Sequence, residues 1–266
     1  MTTDFHIHSS LSADSEAPME AMIERGISLG LSMMCFTEHM DFGYVDEGLN
    51  FEVDTDAYYQ KYREMKERYL GRIRLLFGIE LGLQPHLVKR HTQYLSSYPF
   101  DFVIGSSHLV GGLDPYYPKF YEGRTEEACY REYFRSILEN LDSFSDVDAY
   151  GHLDYVVRYG PNKNQFYTYE HYKDLIDEIL KTLIEKGIAL EVNTAGYKYG
   201  LGAPNPHPDI LRQYRRMGGE LITVGSDAHA PEHLAYDFFR VNPLLKECGF
   251  SAYTVYENRK PRFLPL

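Results

Sequence analysis

Short apolar runs alternate along this chain with longer amphipathic segments. The runs read as strands over Asp4–His8, Ser32–Thr37, Ile73–Glu80, Asp101–Ser106, Ala149–His152, Ile188–Asn193 and Leu221–Ser226. The amphipathic segments read as helices near Ala17–Leu29, Asp54–Tyr69, Pro85–Leu95, Glu126–Leu141, Tyr169–Lys186, Asp209–Met217 and Glu232–Glu247. FVIG, LITVG and IALEV are runs rather than alternations, as expected of strands buried on both faces of a parallel sheet wrapped by helices. Repeated βα units in a chain of 266 residues favour a barrel over an open sheet and need no second domain, so residues 1–266 are read as one domain. Leu109 to Thr125, rich in Gly, Pro and Tyr, is expected to form a long ordered loop. Loops that follow barrel strands often cover an active site.

The polar residues fall where the apolar runs stop. The first strand ends in His6-Ile7-His8, and the second is followed by Glu38-His39. The third ends at Glu80, the fourth runs into His108, and the fifth ends at His152. The seventh leads into Gly225-Ser226-Asp227-Ala228-His229. In parallel strands these groups collect at one mouth of the barrel, where barrel enzymes keep their chemistry. His6 and His8, two apart on a strand, face the same side and can reach one ion. Asp227 and His229 repeat that spacing. Glu80 has two oxygens with which to bridge two ions, and Asp14, in the first βα loop, can fold back over the site. Such a mixed imidazole and carboxylate set would hold two or three divalent metal ions and admits Zn, Fe or Mn. A single HxH is weak evidence of a metal site; the concurrence at so many strand ends is what carries weight.

Of the other histidines, His86, His91, His171 and His233 fall in or beside predicted helices and read as surface or capping residues. His207 lies after the sixth strand, as a substrate contact or a helix-entry residue.

Charge and composition narrow the partners. The formal charge is −12, which argues against nucleic acid and anionic membranes. No stretch approaches the length of a membrane span, and MTTDFHIHSS lacks the basic and apolar regions of a signal peptide. Cys35, Cys129 and Cys248 are too scattered for a disulfide framework. The expectation is a cytoplasmic protein acting on a small molecule, with its oligomeric state left open. If that molecule is an anion, bound cations must reverse the local field.

The motifs DFHIHSS, FTEH, GIELG, IGSSH, YGHLD and GSDAH, in this order from Asp4 to about Phe239, resemble the polymerase and histidinol phosphatase (PHP) superfamily. That resemblance implies a distorted TIM-like (β/α)7 barrel holding a trinuclear metal centre. It places one ion on His6, His8, Glu80 and Asp227, a second on Glu80, His108 and His152, and a third on Asp14, His39 and His229. The segments HLDYVVRYG, ALEVNTAGYKYGLGAPNPHPDIL and LITVGSDAHAPEHLAYDF resemble the stand-alone histidinol-phosphatase branch. The resemblance therefore implies hydrolysis of L-histidinol phosphate to L-histidinol and phosphate, a step of histidine biosynthesis. The alternatives are another phosphate ester (a phosphotyrosine protein, a nucleotide or a small molecule) or a non-catalytic, metal-stabilised module.

For such a reaction a metal-bound hydroxide would serve as nucleophile. Arg158, just beyond the fifth strand, is the candidate to grip phosphate oxygens, since a planar guanidinium suits them. Asp154 and His229 are candidates to protonate the leaving oxygen. Tyr117, with Tyr116 and Tyr121, is expected to close over an imidazole-bearing substrate.

Overall fold

The computed structural model describes residues 1–46 and 48–266. In chain order its regular elements are β1 (Thr3–Ile7), α1 (Met19–Ser28), β2 (Met33–Asp46), β3 (Leu49–Glu52), α2 (Thr55–Arg68), β4 (Arg74–Gly82), α3 (Val88–Ser97), β5 (Phe102–Ser106) and α4 (Glu126–Ser143). There follow β6 (Ala149–Tyr150), α5 (Lys173–Lys186), β7 (Ala189–Asn193), α6 (Ala195–Lys198), α7 (Pro208–Arg216), β8 (Ile222–Gly225), α8 (Val241–Glu247), β9 (Ala252–Glu257) and β10 (Lys260–Pro265).

The strand order is β1-β2-β4-β5-β6-β7-β8, every neighbouring pair parallel. The two ends of this order meet just beyond β8. There Ile7 bridges Ala228 in parallel, Asp227 N donates to His6 O (2.8 Å), and His8 N donates to Ala228 O (2.9 Å). This is a parallel barrel of the TIM-like class, and its strand interiors are buried as their apolar runs foretold. The helices start where capping chemistry allows. Asp54 accepts from Ala57 N ahead of α2, and Thr125 accepts from Ala128 N ahead of α4, each satisfying a free donor of the first turn. Among the described residues, no helix is long and apolar enough to cross a membrane.

Three segments depart from the pattern-based expectation. β2 runs past Thr37 to pair antiparallel with β3, Met40 facing Glu52, and so carries its polar residues up the wall of the barrel mouth. The helix expected over Glu232–Glu247 is broken into two short 3-10 turns and α8, because Ala235 N is drawn to Asp4 Oδ2 (3.1 Å). Ala235 and Asp237 then take positive φ, incompatible with a continuous helix. The antiparallel hairpin β9–β10 was not legible as strands. It lies across the opposite end of the barrel, where Thr254 Oγ1 accepts from Ile222 N and Asn258 N donates to Asp101. The Leu109–Thr125 segment is a loop with one 3-10 turn at Pro118–Tyr121, as expected, and the three cysteines are free and buried.

Candidate metal centre

The C-terminal ends of the parallel strands open into a cleft of about 460 Å³. Glu80, fully buried at the end of β4, lies beneath its lining, in contact with His108, His152 and His39 of the cleft. Its Oε2 lies 3.2 Å from His6 Nε2, 3.5 Å from His8 Nε2 and 3.1 Å from His39 Nδ1. Asp227 Oδ1 lies 3.7 and 3.6 Å from the same two nitrogens. The other oxygen of Glu80, Oε1, lies 3.3 Å from His108 Nε2 and 2.9 Å from His152 Nε2. A third group sits toward solvent. Asp14 Oδ2 is 3.4 Å from His39 Nε2 and 3.1 Å from His229 Nε2, and those nitrogens are 3.4 Å apart.

These spacings can be compared with coordination geometry. Ligands bound about 2.0–2.1 Å from a tetrahedral ion stand about 3.3–3.4 Å from one another. The separations in the three donor groups, 2.9–3.7 Å, lie on either side of that value. His6 Nε2, His8 Nε2 and Glu80 Oε2 are buried without a hydrogen-bond partner, an arrangement costly to a fold unless a cation meets them. The donor set fits divalent ions that accept nitrogen and oxygen ligands.

A second layer fixes the imidazoles from behind. Glu191 Oε1 holds His6 Nδ1 at 2.6 Å, and its Oε2 accepts from His152 N at 2.7 Å. Asp41 Oδ1 holds His108 Nδ1 at 2.7 Å. Ser12 Oγ bridges His8 Nδ1 to the buried Glu38 carboxylate. Such partners set which ring nitrogen faces an ion and raise its basicity. Room for them is made by missing side chains. A Cβ on Gly82 would stand 1.8 Å from Asp41 Oδ1, and one on Gly225 would stand 2.2 Å from His6 Cβ and 2.7 Å from Glu191 Oε1. His152 and Asp227 adopt positive φ, 21° and 54°, a strain of the kind that clusters at functional sites. His152 is held there by Glu191 and Asp227 by Arg158.

Electrostatics point the same way. Burial pulls the His6 pKa down, but Glu191, Glu80 and Asp227 outweigh it and raise it well above the usual imidazole range. Burial likewise opposes a charged His108, yet Asp41 and Glu80 push it up to about 10. Burial works to raise Glu80, and His6, His108 and His39 hold it well below the ordinary carboxylate range. His8 goes the other way, lowered by burial and by His229 and His39. The carboxylates stay ionised and attract positive charge, which divalent cations can supply more densely than protons.

The structure thus brings His6, His8, Asp14, His39, Glu80, His108, His152, Asp227 and His229 together. Tyr117 lines the cleft beside Tyr116, whereas Tyr121 is buried and donates to Val156 O. Arg158 also borders the cleft, but it is only 3% exposed and already committed. Its Nε, Nη1 and Nη2 donate to Asn205 Oδ1, Asp227 Oδ2 and Asn193 Oδ1, each at 2.8 Å. Asp154 is turned away from the cleft. Its carboxylate accepts from Asn205 Nδ2 (2.6 Å) and His207 N (2.9 Å), fastening the 205–207 segment. His207 is the helix-entry residue: it caps α7, its Nδ1 accepting from Asp209 N. His91 is no surface residue. It is fully buried between Phe42 and Phe144, and burial lowers its pKa to about 4. His233 is half-buried and borders the cleft. Sequence reasoning missed Asp41 and Glu191; an acid inside a buried strand such as IALEV was the available signal for Glu191.

The PHP domain model matches residues 4–195. Histidinol-phosphatase of Lactococcus lactis subsp. lactis is 31% identical over 258 residues, covering 97% of this chain and 95% of its own length. A probable histidinol-phosphatase of Clostridium acetobutylicum is 30% identical over 249 residues, with 94% of each chain covered. The crystal structure of histidinol phosphate phosphatase from Lactococcus lactis, complexed with zinc, L-histidinol and phosphate, superposes with a TM-score of 0.91 at 31% identity and covers 98% of both chains.

Proposed function

The chain belongs to the PHP domain family, and from that premise we propose that it is a cytoplasmic, metal-dependent histidinol-phosphatase working as one domain over residues 1–266. The observation that carries this reading is the group beneath the cleft, where the two oxygens of Glu80 face different imidazoles, Oε1 those of His108 and His152 and Oε2 those of His6, His8 and His39. One cation would lie among His6, His8, Glu80 and Asp227, a second among Glu80, His108 and His152, and a third among Asp14, His39 and His229. Divalent ions held there supply Lewis acidity toward the phosphoryl oxygens and an activated water.

The chain's own residues do the rest. Water's oxygen joins phosphorus, the ester P–O bond breaks, and the leaving alkoxide takes a proton. Of the two candidates for that proton, Asp154 is occupied elsewhere, and His229 faces the cleft with Nε2 in the third donor group and Nδ1 on Asp227 O, so the alkoxide takes the proton that the attacking water gives up. Arg158 fixes Asp227, one carboxylate of the first group, and through Asn193 and Asn205 it ties β7 to the returning loop. The cleft also carries Tyr116, Tyr117, Tyr155 and Tyr159, with the Tyr155 ring 5.0 Å from that of His152, a set of ring faces suited to an imidazole. Asp114 stands among them, held by Tyr44 Oη (2.7 Å) and Tyr116 N (2.7 Å), an anion fit for a cationic leaving group.

The test is to purify the protein without chelator, quantify its metals, and assay phosphate release from L-histidinol phosphate beside nucleotide, phosphotyrosine and simple esters. Preference for L-histidinol phosphate, lost with chelator, is expected. Metal-dependent turnover confined to other esters would remove the substrate assignment and leave the metal chemistry.

A further inference from the structure

The loop between β7 and α7 carries one lysine into the cleft, and its surroundings set it apart. The ends of this loop are clamped together: Asn193 N donates to Asn205 O (2.7 Å) and Asn205 N returns a bond to Asn193 O (2.8 Å). Between them α6 turns the chain over the barrel mouth, and two neighbours hold the far side. Lys163 Nζ donates to Tyr199 O and Asn164 Nδ2 donates to Leu201 O. Gly196 allows the loop to fold on itself, since a Cβ there would stand 2.5 Å from Ala203 O. Lys198, at the end of α6, is therefore delivered by a pinned segment to the cleft that Asp14, Asp227 and His229 line.

Its amine is uncommitted. Lys61, Lys173 and Lys198 are the half-buried lysines. Lys61 is neutralised by Glu20 and Lys173 by Asp177, both at 2.7 Å. Lys198 has no carboxylate within ion-pairing distance among the described residues. It rests instead against the Tyr199 ring, 5.1 Å from its centroid, and Arg158 lies at the same distance from that ring. Two cations thus share one aromatic platform, which fixes their positions without consuming their hydrogen bonds. Arg158 spends three of its five N–H donors on Asp227, Asn193 and Asn205, whereas no acceptor among the described residues engages the Lys198 ammonium. Burial lowers the Lys198 pKa, with Asp227 acting against that, which places the amine within the field of the donor groups.

Resting on the phosphatase reading, we propose that Lys198 is the side chain that takes the phosphoryl oxygens of the ester, the role that the sequence had pointed to for Arg158. An ammonium on a flexible stem serves as a point charge toward a phosphate dianion. It complements the cations on the cleft floor by meeting the phosphoryl group from the rim.

The experiment compares wild type, Lys198→Gln and Lys198→Arg in three measurements: metal content, calorimetric affinity for inorganic phosphate, and steady-state kinetics on L-histidinol phosphate. Lys198→Gln is expected to fold and keep its metals, because the residue is outside the core. It is expected to weaken phosphate binding and raise KM by about ten- to a hundredfold, the size of a lost charged hydrogen bond. Lys198→Arg should recover much of that loss. Phosphate affinity and KM within twofold of wild type in Lys198→Gln would overturn the proposal. So would a wild type that takes up no phosphate, or a variant whose defect follows lost metal. Phosphate binding is read without any ester, so a wild type inactive on L-histidinol phosphate but with Lys198-dependent phosphate affinity would sink the substrate reading alone.

Discussion

Glu191→Gln tests whether the second layer governs the donor groups. In the native arrangement one carboxylate serves two ligand histidines, His6 through Nδ1 at 2.6 Å and His152 through its backbone N–H at 2.7 Å. Glutamine keeps the shape but offers one acceptor oxygen and an NH2 group. Whichever way the amide turns, a donor on His6 or His152 faces another donor in a site that is 1% exposed. Leaving one buried donor unmet costs about 1–3 kcal/mol. Loss of a partner behind a metal-ligating histidine weakens metal binding by about 10–100-fold, which is about 1.4–2.7 kcal/mol. The two routes agree in size, so the variant should release metal at a correspondingly lower chelator concentration. Its turnover should fall with metal occupancy and return when excess metal is supplied. The assay is metal retention across a chelator series, with phosphate release followed in parallel. Glu185→Gln, on the exposed face of α5, controls for the changed net charge. A Glu191→Gln protein with native retention and turnover would show that the ligands are positioned by the strands alone.

Other perturbations address the remaining parts of the site and the barrel. Arg158→Ala removes a donor from Asp227, Asn193 and Asn205 at once and should lower unfolding stability by about 3 kcal/mol or more; Arg158→Lys should not restore it, and urea curves overlaying wild type would retire the structural role. Asp14 belongs only to the outer donor group, so Asp14→Asn should lower metal stoichiometry by one ion while the inner two persist; elemental analysis showing a full complement would refute the third position. Asp148, beneath the barrel, is raised by burial to about 6 although Arg259 pairs with it. Its folded form therefore holds a proton more tightly than the unfolded chain, and that contribution to stability is lost as pH rises from about 4 to about 6, by up to about 3 kcal/mol. Asp148→Asn imitates the protonated form, so its stability relative to wild type should climb across this window; a difference independent of pH would contradict the assignment.

What was legible in the sequence follows from where apolar runs stop. A strand buried on both faces needs no polar residue until it leaves the barrel, so a His or Glu at the end of a run marks the mouth directly. His6, Glu80, His108 and His152 were readable for that reason. Asp227 and His229 were readable from the GSDAH exit. The hairpin β9–β10 was not, because its exposed Pro and charged positions resemble a loop when its pairing partner is unknown.

The supporting residues obey a different logic, and it hid them. Glu191 sits inside IALEV, where a strand pattern counts a single acid as noise, and Asp41 lies in the stretch after His39 that was read as leaving the sheet. Each is buried because it pairs across the barrel, Glu191 with His6 and His152, Asp41 with His108. Neither pairing has a local signature, since it joins residues far apart in the chain. The glycines opposite them, Gly225 and Gly82, carry no chemistry, yet a methyl group at either would collide with the carboxylate it faces. Arg158 makes the same point from the other side. Its position beyond the fifth strand was evident, but its three bonded partners come from β7, the loop after it and the exit of β8. Those partners commit three of its donors to holding the site, one of them on Asp227, while the Lys198 ammonium meets no acceptor among the described residues. Sequence spacing placed the groups that face an ion, while the groups that face those groups are set by closure of the barrel.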